Sequence, residues 1–153
     1  MARQRQLEFD RLLGQARMYL LIGALVSFAG FVWPWFKFNE SAQWWYNGWQ
    51  LAYDGEVSWI FLIFIGYAAI LIAGYFFLER GAAVLTVVLV IAVTAGSLMA
   101  VSLAAADALE EVRALYQLKW NIGLLIMAAG HGGMGWGAFA AWTLVTLRDI
   151  QAA

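Results

Sequence analysis

Residues 57–106 read VSWIFLIFIGYAAILIAGYFFLERGAAVLTVVLVIAVTAGSLMAVSLAAA. The only charges in this stretch are Glu79 and Arg80, side by side near its middle. On either side lies an apolar run longer than the roughly 18 residues at which a run reads as a membrane-spanning helix. Val57–Leu78 is bounded by Glu56 and Glu79, and Gly81–Ala106 by Arg80 and Asp107. Two spans joined by a two-residue polar link make a tight helical hairpin. Outside it, Met18–Phe36 lies between Arg17 and Lys37, and Trp120–Leu147 between Lys119 and Arg148. The expected fold is all-α: a single integral membrane domain, 1–153, built as a bundle of four transmembrane helices.

Composition points the same way. Hydrophobic residues make up 64% of the chain and charged residues 12%, against about 45–50% and about 25% in an ordinary soluble domain. A net charge of −1 gives no reason to expect a nucleic-acid partner. The absence of cysteine excludes disulfides, thiolate catalysis and thiolate metal ligands. The first apolar run follows a charged segment and ends in Trp33-Pro34-Trp35 rather than a small-residue cleavage site, so it reads as a retained span and not a leader.

The basic residues set an orientation. Arg3, Arg5, Arg11, Arg17, Arg80 and Arg148 fall on one side of the membrane, and Lys37, Arg113 and Lys119 on the other. The richer side is expected to be cytoplasmic, with both termini there, in the cytoplasmic membrane of a prokaryote. Residues 3–17 carry Phe9, Leu12, Leu13 and Ala16 at helical spacing, which predicts an amphipathic helix on the cytoplasmic face. Ala108, Leu109, Val112, Leu115 and Tyr116 predict a second amphipathic helix over 107–119, on the outer side.

The outer loop 37–56 is rich in aromatics and contains Asn47-Gly48. Aromatics favour strands, and Asn-Gly suits a tight hairpin turn. The loop is therefore predicted to form a small antiparallel β meander with strands near 35–38, 43–46 and 49–53. Trp33, Trp35, Trp59, Trp120 and Trp142 fall at span ends, as expected of interface anchors. Trp44, Trp45 and Trp49 exceed what such a belt requires. They are either the core of the sheet or anchors for a partner, since tryptophan also dominates binding hot spots.

Two stripes of small residues recur at four-residue spacing: Ala92, Gly96, Ala100 and Ala104 in the third span, and Ala129, Gly133, Gly137 and Ala141 in the fourth. Such stripes let helices approach closely. They either pack spans three and four together within one chain or form an oligomer contact. The fourth run would rise about 42 Å as a helix, against a hydrocarbon core of about 30 Å. Its glycines let it either bend or break near Gly130–Gly133.

His131 is the single histidine, set in MAAGHGGMGWGAF. An imidazole flanked by small residues could serve as axial ligand to haem or (bacterio)chlorophyll. The competing reading is a hydrogen-bonding histidine near the outer interface. One histidine cannot build a multi-ligand metal site. Ser27, Ser58, Ser97 and Ser102 show no triad pattern, and neither a nucleophile elbow nor a phosphate-binding glycine loop occurs. No span contains an Asp, Glu, Lys or Arg, which counts against a proton-coupled transporter.

The layout resembles a broad group of small, mostly uncharacterised bacterial four-span proteins. The residues that carry the likeness are Val32-Trp33-Pro34-Trp35, Asn47-Gly48-Trp49-Gln50-Leu51-Ala52 and Gly135-Trp136-Gly137. In topology it is also similar to the claudin and peripheral-myelin-protein group, whose first outer loop forms a sheet. That group's paired cysteines are missing here and the loop is much shorter. Together these features imply a non-enzymatic membrane protein with lipid bound to it. It would act through contacts with other membrane subunits or with its own copies, as an accessory subunit or self-assembling scaffold. The alternatives are a subunit of a redox or light-harvesting complex that holds a pigment, haem, quinone or lipid, and an oligomeric channel or small transporter.

Overall fold

The computed structural model describes residues 2–37, 45–53, 57–78, 82–112 and 119–152, with side chains over 4–36, 47–53, 57–78, 82–106 and 121–150. The charge-free runs become helices. Helix α1 is Ala2–Val32, followed by strands β1, Phe36–Lys37, and β2, Trp45–Tyr46. A short helix α2, Gly48–Tyr53, precedes a 3-10 turn, Ser58–Ile60, which leads into α3, Phe61–Ile72. A π-helical turn, Ala73–Phe77, extends α3. Helix α4 is Ala83–Val112, β3 is Lys119–Trp120 and α5 is Ile122–Ala152. Four helices are long and apolar enough to cross a membrane, with windows at Gln4–Val32, Ser58–Phe77, Ala83–Ala106 and Ile122–Ile150. Only 33%, 33%, 28% and 33% of these windows are buried, so most of their apolar surface faces outward. A helix that is apolar on its outer face as well belongs in lipid.

The spans pack in a ring: α1 on α5, α5 on α4, α4 on α3, and α3 back on α1. The α1/α5 contact is by far the most extensive. It is antiparallel, with Gly30 beside Met127, Ser27 beside Gly130, Gly23 beside Met134, and Gly137 beside Leu20. The guanidinium of Arg148 lies over the Phe9 ring, 5.2 Å from its centroid, so both chain ends share one end of the bundle.

Helix α1 is longer than hydropathy indicates. It runs unbroken for 31 residues, about 46 Å. The amphipathic segment 3–17 is thus continuous with the span rather than a separate surface helix. Its apolar residues Leu13 and Ala16 are buried in the core, and the arginines among them lowered the local hydropathy without ending the helix. The helix stops where Pro34, which lacks an N–H and disfavours helix at the residue before it, follows Trp33. Helix α5 is likewise continuous over 31 residues, with no break at Gly130–Gly133. The amphipathic helix expected over 107–119 begins as a continuation of α4 to Val112. Residues 113–118 lie outside the described residues, and Lys119 is in β3.

The predicted meander is not supported. What forms is a ladder of two-residue strands in the order β2-β1-β3. Phe36 faces Tyr46 and Trp120, and Lys37 faces Trp45 and Lys119. The third strand comes from before α5, while 49–53 is helical. The reason lies in Asn47. Its Oδ1 accepts from the Gln50 N–H at 2.8 Å, and its carbonyl accepts from the Leu51 N–H at 3.0 Å. It is an N-cap rather than a hairpin corner. Gly48 is required because a Cβ there would strike the Phe31 ring. Trp49 and Tyr53, four apart on α2, stack with ring centroids 6.5 Å apart and planes 4° from parallel. Replacing Asn47 by Ala should destabilise α2 by about 1 kcal/mol. Hydrogen exchange would show this as faster exchange confined to residues 48–53, with the spans unchanged.

Candidate functional site

The four spans each bury one face, and near mid-height each face carries a polar side chain. On α1 the buried positions include Leu20, Ala24, Ser27 and Phe31. On α3 they are Ile63, Tyr67 and Ile70; on α4 they include Val90, Val93, Ser97, Ala100 and Ala104, with Ala83 and Thr86 nearer its start; on α5 they include Met127, Met134, Ala138, Ala141 and Val145. These three- and four-residue steps are the helical period, so each polar residue is carried inward by its apolar neighbours. Ser27, Tyr67 and Ser97 meet the partly buried His131 at the centre of the ring.

Ser27 Oγ lies 2.7 Å from Tyr67 Oη and 2.7 Å from His131 Nδ1. Tyr67 Oη lies 3.5 Å from Ser97 Oγ and 3.4 Å from His131 Nε2. His131 Nδ1 is also 2.8 Å from the Met127 carbonyl oxygen. A carbonyl can only accept, so the Nδ1 proton points to it and Nε2 is left as the acceptor. The Ser27 hydroxyl then donates to Tyr67, and the Tyr67 hydroxyl donates to Nε2 or to Ser97. The Tyr67 ring is held edge-on by Phe28 and tilted against Phe31, with centroids 5.8 and 6.0 Å away. Phe31 continues to Trp35 at 5.2 Å.

Ser27 and His131 stand at the separation of a nucleophile and its base. The geometry does not favour that chemistry: Ser27 is fully buried, and the neighbouring imidazole nitrogen carries the proton that Met127 accepts. Replacing Tyr67 by Phe keeps the ring packing and removes the central hydroxyl. Interhelical hydrogen bonds in membranes average about 0.6 kcal/mol, with about 1.7 the largest seen. A loss of about 1 kcal/mol in a denaturant titration is expected, with helix content unchanged.

Beside the cluster, between α4 and α5, lies an open groove of about 500 Å³. Its walls are Leu98, Val101, Leu124, Leu125, Met127 and Ala128, and its polar contributions come from Thr94, Ser97 and His131. The size and the pattern of an apolar wall with a few convergent polar groups are those of small-molecule sites.

His131 is about 13 Å along α5 from Ile122 and level with the centre of the bundle, deeper than an interfacial histidine. The space beside Nε2 is shared by Ser27 Oγ and Tyr67 Oη, each 3.4 Å away, which leaves little clearance for a flat macrocycle. Among the described residues no group of three His, Cys, Asp or Glu side chains gathers.

The tryptophans divide. Trp35 is fully buried and its Nε1 donates to the Gly30 carbonyl at 3.1 Å. It is a core residue, not an interface anchor, because the chain turns back under α1 at Pro34. Trp33 is about half exposed and Trp142 is exposed, whereas Trp59 is half-buried between α3 and α4. Trp49 is half exposed and meets Phe61 and Phe64 edge-on at 6.4 and 5.9 Å. Trp44 lies outside the described residues, and of Trp45 and Trp120 only the backbone, in β2 and β3, is placed.

The small-residue stripes do not face each other. On α5, Gly133 and Gly137 pack against α1, Ala141 is buried and Ala129 is exposed. On α4, Gly96 faces Ile63 of α3, Ala100 and Ala104 are buried, and Ala92 is exposed. The partners of Gly133 and Gly137 include Gly23 and Leu20, a small-residue face on the first span that the four-residue pattern of the later spans did not single out. Ser27, Tyr67 and Ser97 were the residues that sequence reasoning missed as a site. The available signal was a hydroxyl at a core position in the middle of each of the first three apolar runs.

No protein-family model, no curated protein and no solved structure matches this chain.

Proposed function

We propose that this chain is a multi-pass membrane protein that holds a lipid-soluble small molecule in the α4/α5 groove, as a binding subunit rather than an enzyme. The observation that carries this reading is a groove of about 500 Å³ in the middle of the spans, apolar but for Thr94, Ser97 and His131. A polar cluster inside the membrane is expensive unless it is used, and here two of its members line the opening. A quinone-like or lipid-like molecule suits the groove better than haem or chlorophyll, given the crowding around Nε2. The arginine distribution supports placement in the cytoplasmic membrane with both termini inside.

Purification in mild detergent, organic extraction and mass spectrometry with an absorbance scan would test the reading. A compound should extract in near-stoichiometric amount from the parent protein and be depleted from Ala128→Trp, whose new ring fills the groove from its exposed wall. Equal recovery from both proteins would sink the proposal. Visible absorbance that depends on His131 would favour a pigment instead.

A second reading is favoured by one feature. Between α3 and α4 a shallower groove of about 240 Å³ is lined by Gly66, Ala92 and Gly96, flanked by Trp59, Leu62 and Leu89. Small residues on an exposed face suit the close approach of a neighbouring helix, as an accessory subunit or a self-assembling scaffold would require. Light scattering of the purified protein should then show a complex that Ala92→Leu dissociates.

A further inference from the structure

We infer that the α4/α5 groove selects a neutral molecule whose polar end is a hydroxyl, in preference to a ketone, an ether or a charged lipid head. The inference rests on the groove being the binding site proposed above. No charged side chain lines the groove. An anionic or cationic head would enter the middle of the bundle without a counter-charge, which membrane interiors strongly disfavour.

Proton counting narrows the class further. The short contacts of the cluster, 2.7 and 2.8 Å, all centre on Ser27 and Nδ1. The remaining contacts of Ser97 Oγ and of Nε2 are long, 3.4–3.5 Å, well beyond the 2.5–3.0 Å of a good hydroxyl bond. Ser97 is fully buried and as closed to an entering oxygen as to water, whereas His131 is only partly buried. His131 is therefore the under-engaged member of the cluster that the groove reaches. Its Nε2 has a lone pair to fill. A hydroxyl answers it by donating to Nε2. A ketone or ether can only accept and leaves Nε2 as it was. The apolar walls take the rest of the molecule, so the class is an alkylphenol, a quinol or a long-chain alcohol.

The test uses the full chain purified in detergent and equilibrium dialysis against three probes: 4-nonylphenol, its methyl ether and decyl phosphate. The phenol is expected to bind at least tenfold more tightly than the ether, and the phosphate not above background. His131→Leu, which removes the acceptor that only the phenol uses, should bring the phenol down to the affinity of the ether while leaving the ether unchanged, a difference that a general loss of fold would not produce. Ala128→Trp should weaken both. Equal affinity for phenol and ether in the parent protein, or preference for the phosphate, overturns the selectivity and leaves the groove reading standing. Undiminished binding of both uncharged probes to Ala128→Trp overturns the groove reading itself.

Discussion

Gly130→Ala should unfold or severely loosen the bundle, although it adds one methyl group. A Cβ at Gly130 would fall on the backbone nitrogen of Ser27 and within 2.7 Å of the Ser27 side chain. The obstacle is main chain, so no rotamer change relieves it. The two helices must separate, and they do so along the seam that contributes most of the bundle's packing. Overpacking of a tight core typically costs about 1–3 kcal/mol and occasionally more. At this contact the upper end is expected, because Gly23, Gly30 and Gly137 are equally close to the opposing backbone and would all be moved. Gly132→Ala is the matched control. A Cβ there meets nothing within 4 Å, and its effect should stay within about 0.5 kcal/mol. Unfolding titrations in mixed micelles would compare the two directly. Similar stability for both proteins would show that α1 and α5 are not joined as described.

Trp35→Ala should be the most damaging large-to-small change outside the seam. Trp35 is fully buried, packs on Phe31 and bonds the Gly30 carbonyl. Removing a buried tryptophan typically costs about 3–5 kcal/mol. The neighbouring Trp33, half exposed, should lose less than about 1 kcal/mol on the same substitution. The pair separates a core role from an interface role within one motif. The midpoint of thermal aggregation, measured for both variants, is a sufficient readout. A larger effect at Trp33 than at Trp35 would reverse the assignment.

The spans were legible because charge is excluded from apolar runs, and the long stretch around Glu79-Arg80 leaves few other readings. What stayed hidden was contact between distant positions. Trp33 and Trp35 look alike in sequence, two apart beside a proline, and only the turn beneath α1 sends one inward. Asn47-Gly48 fits both a hairpin corner and a helix cap, and local preference does not choose between them. His131 was visible as a candidate because it is the single histidine. Its partners were not, since which helix faces which is not written in the period of any one of them. The arginines of α1 hid the length of that helix for the opposite reason: Arg5 and Arg11 are exposed, and hydropathy averages over all faces.

The pairing of α1 with α5 also has a consequence for how the chain is made. Ser27 and His131 are 104 positions apart, so during synthesis the first span enters the membrane long before its principal partner exists. Until α5 follows, Gly23, Ser27 and Gly30 present a small and partly polar face to lipid or to whatever insertion machinery shelters it. The bundle cannot close span by span. It is latched by α5, and a ribosome stalled before residue 122 leaves a membrane protein with its central seam open.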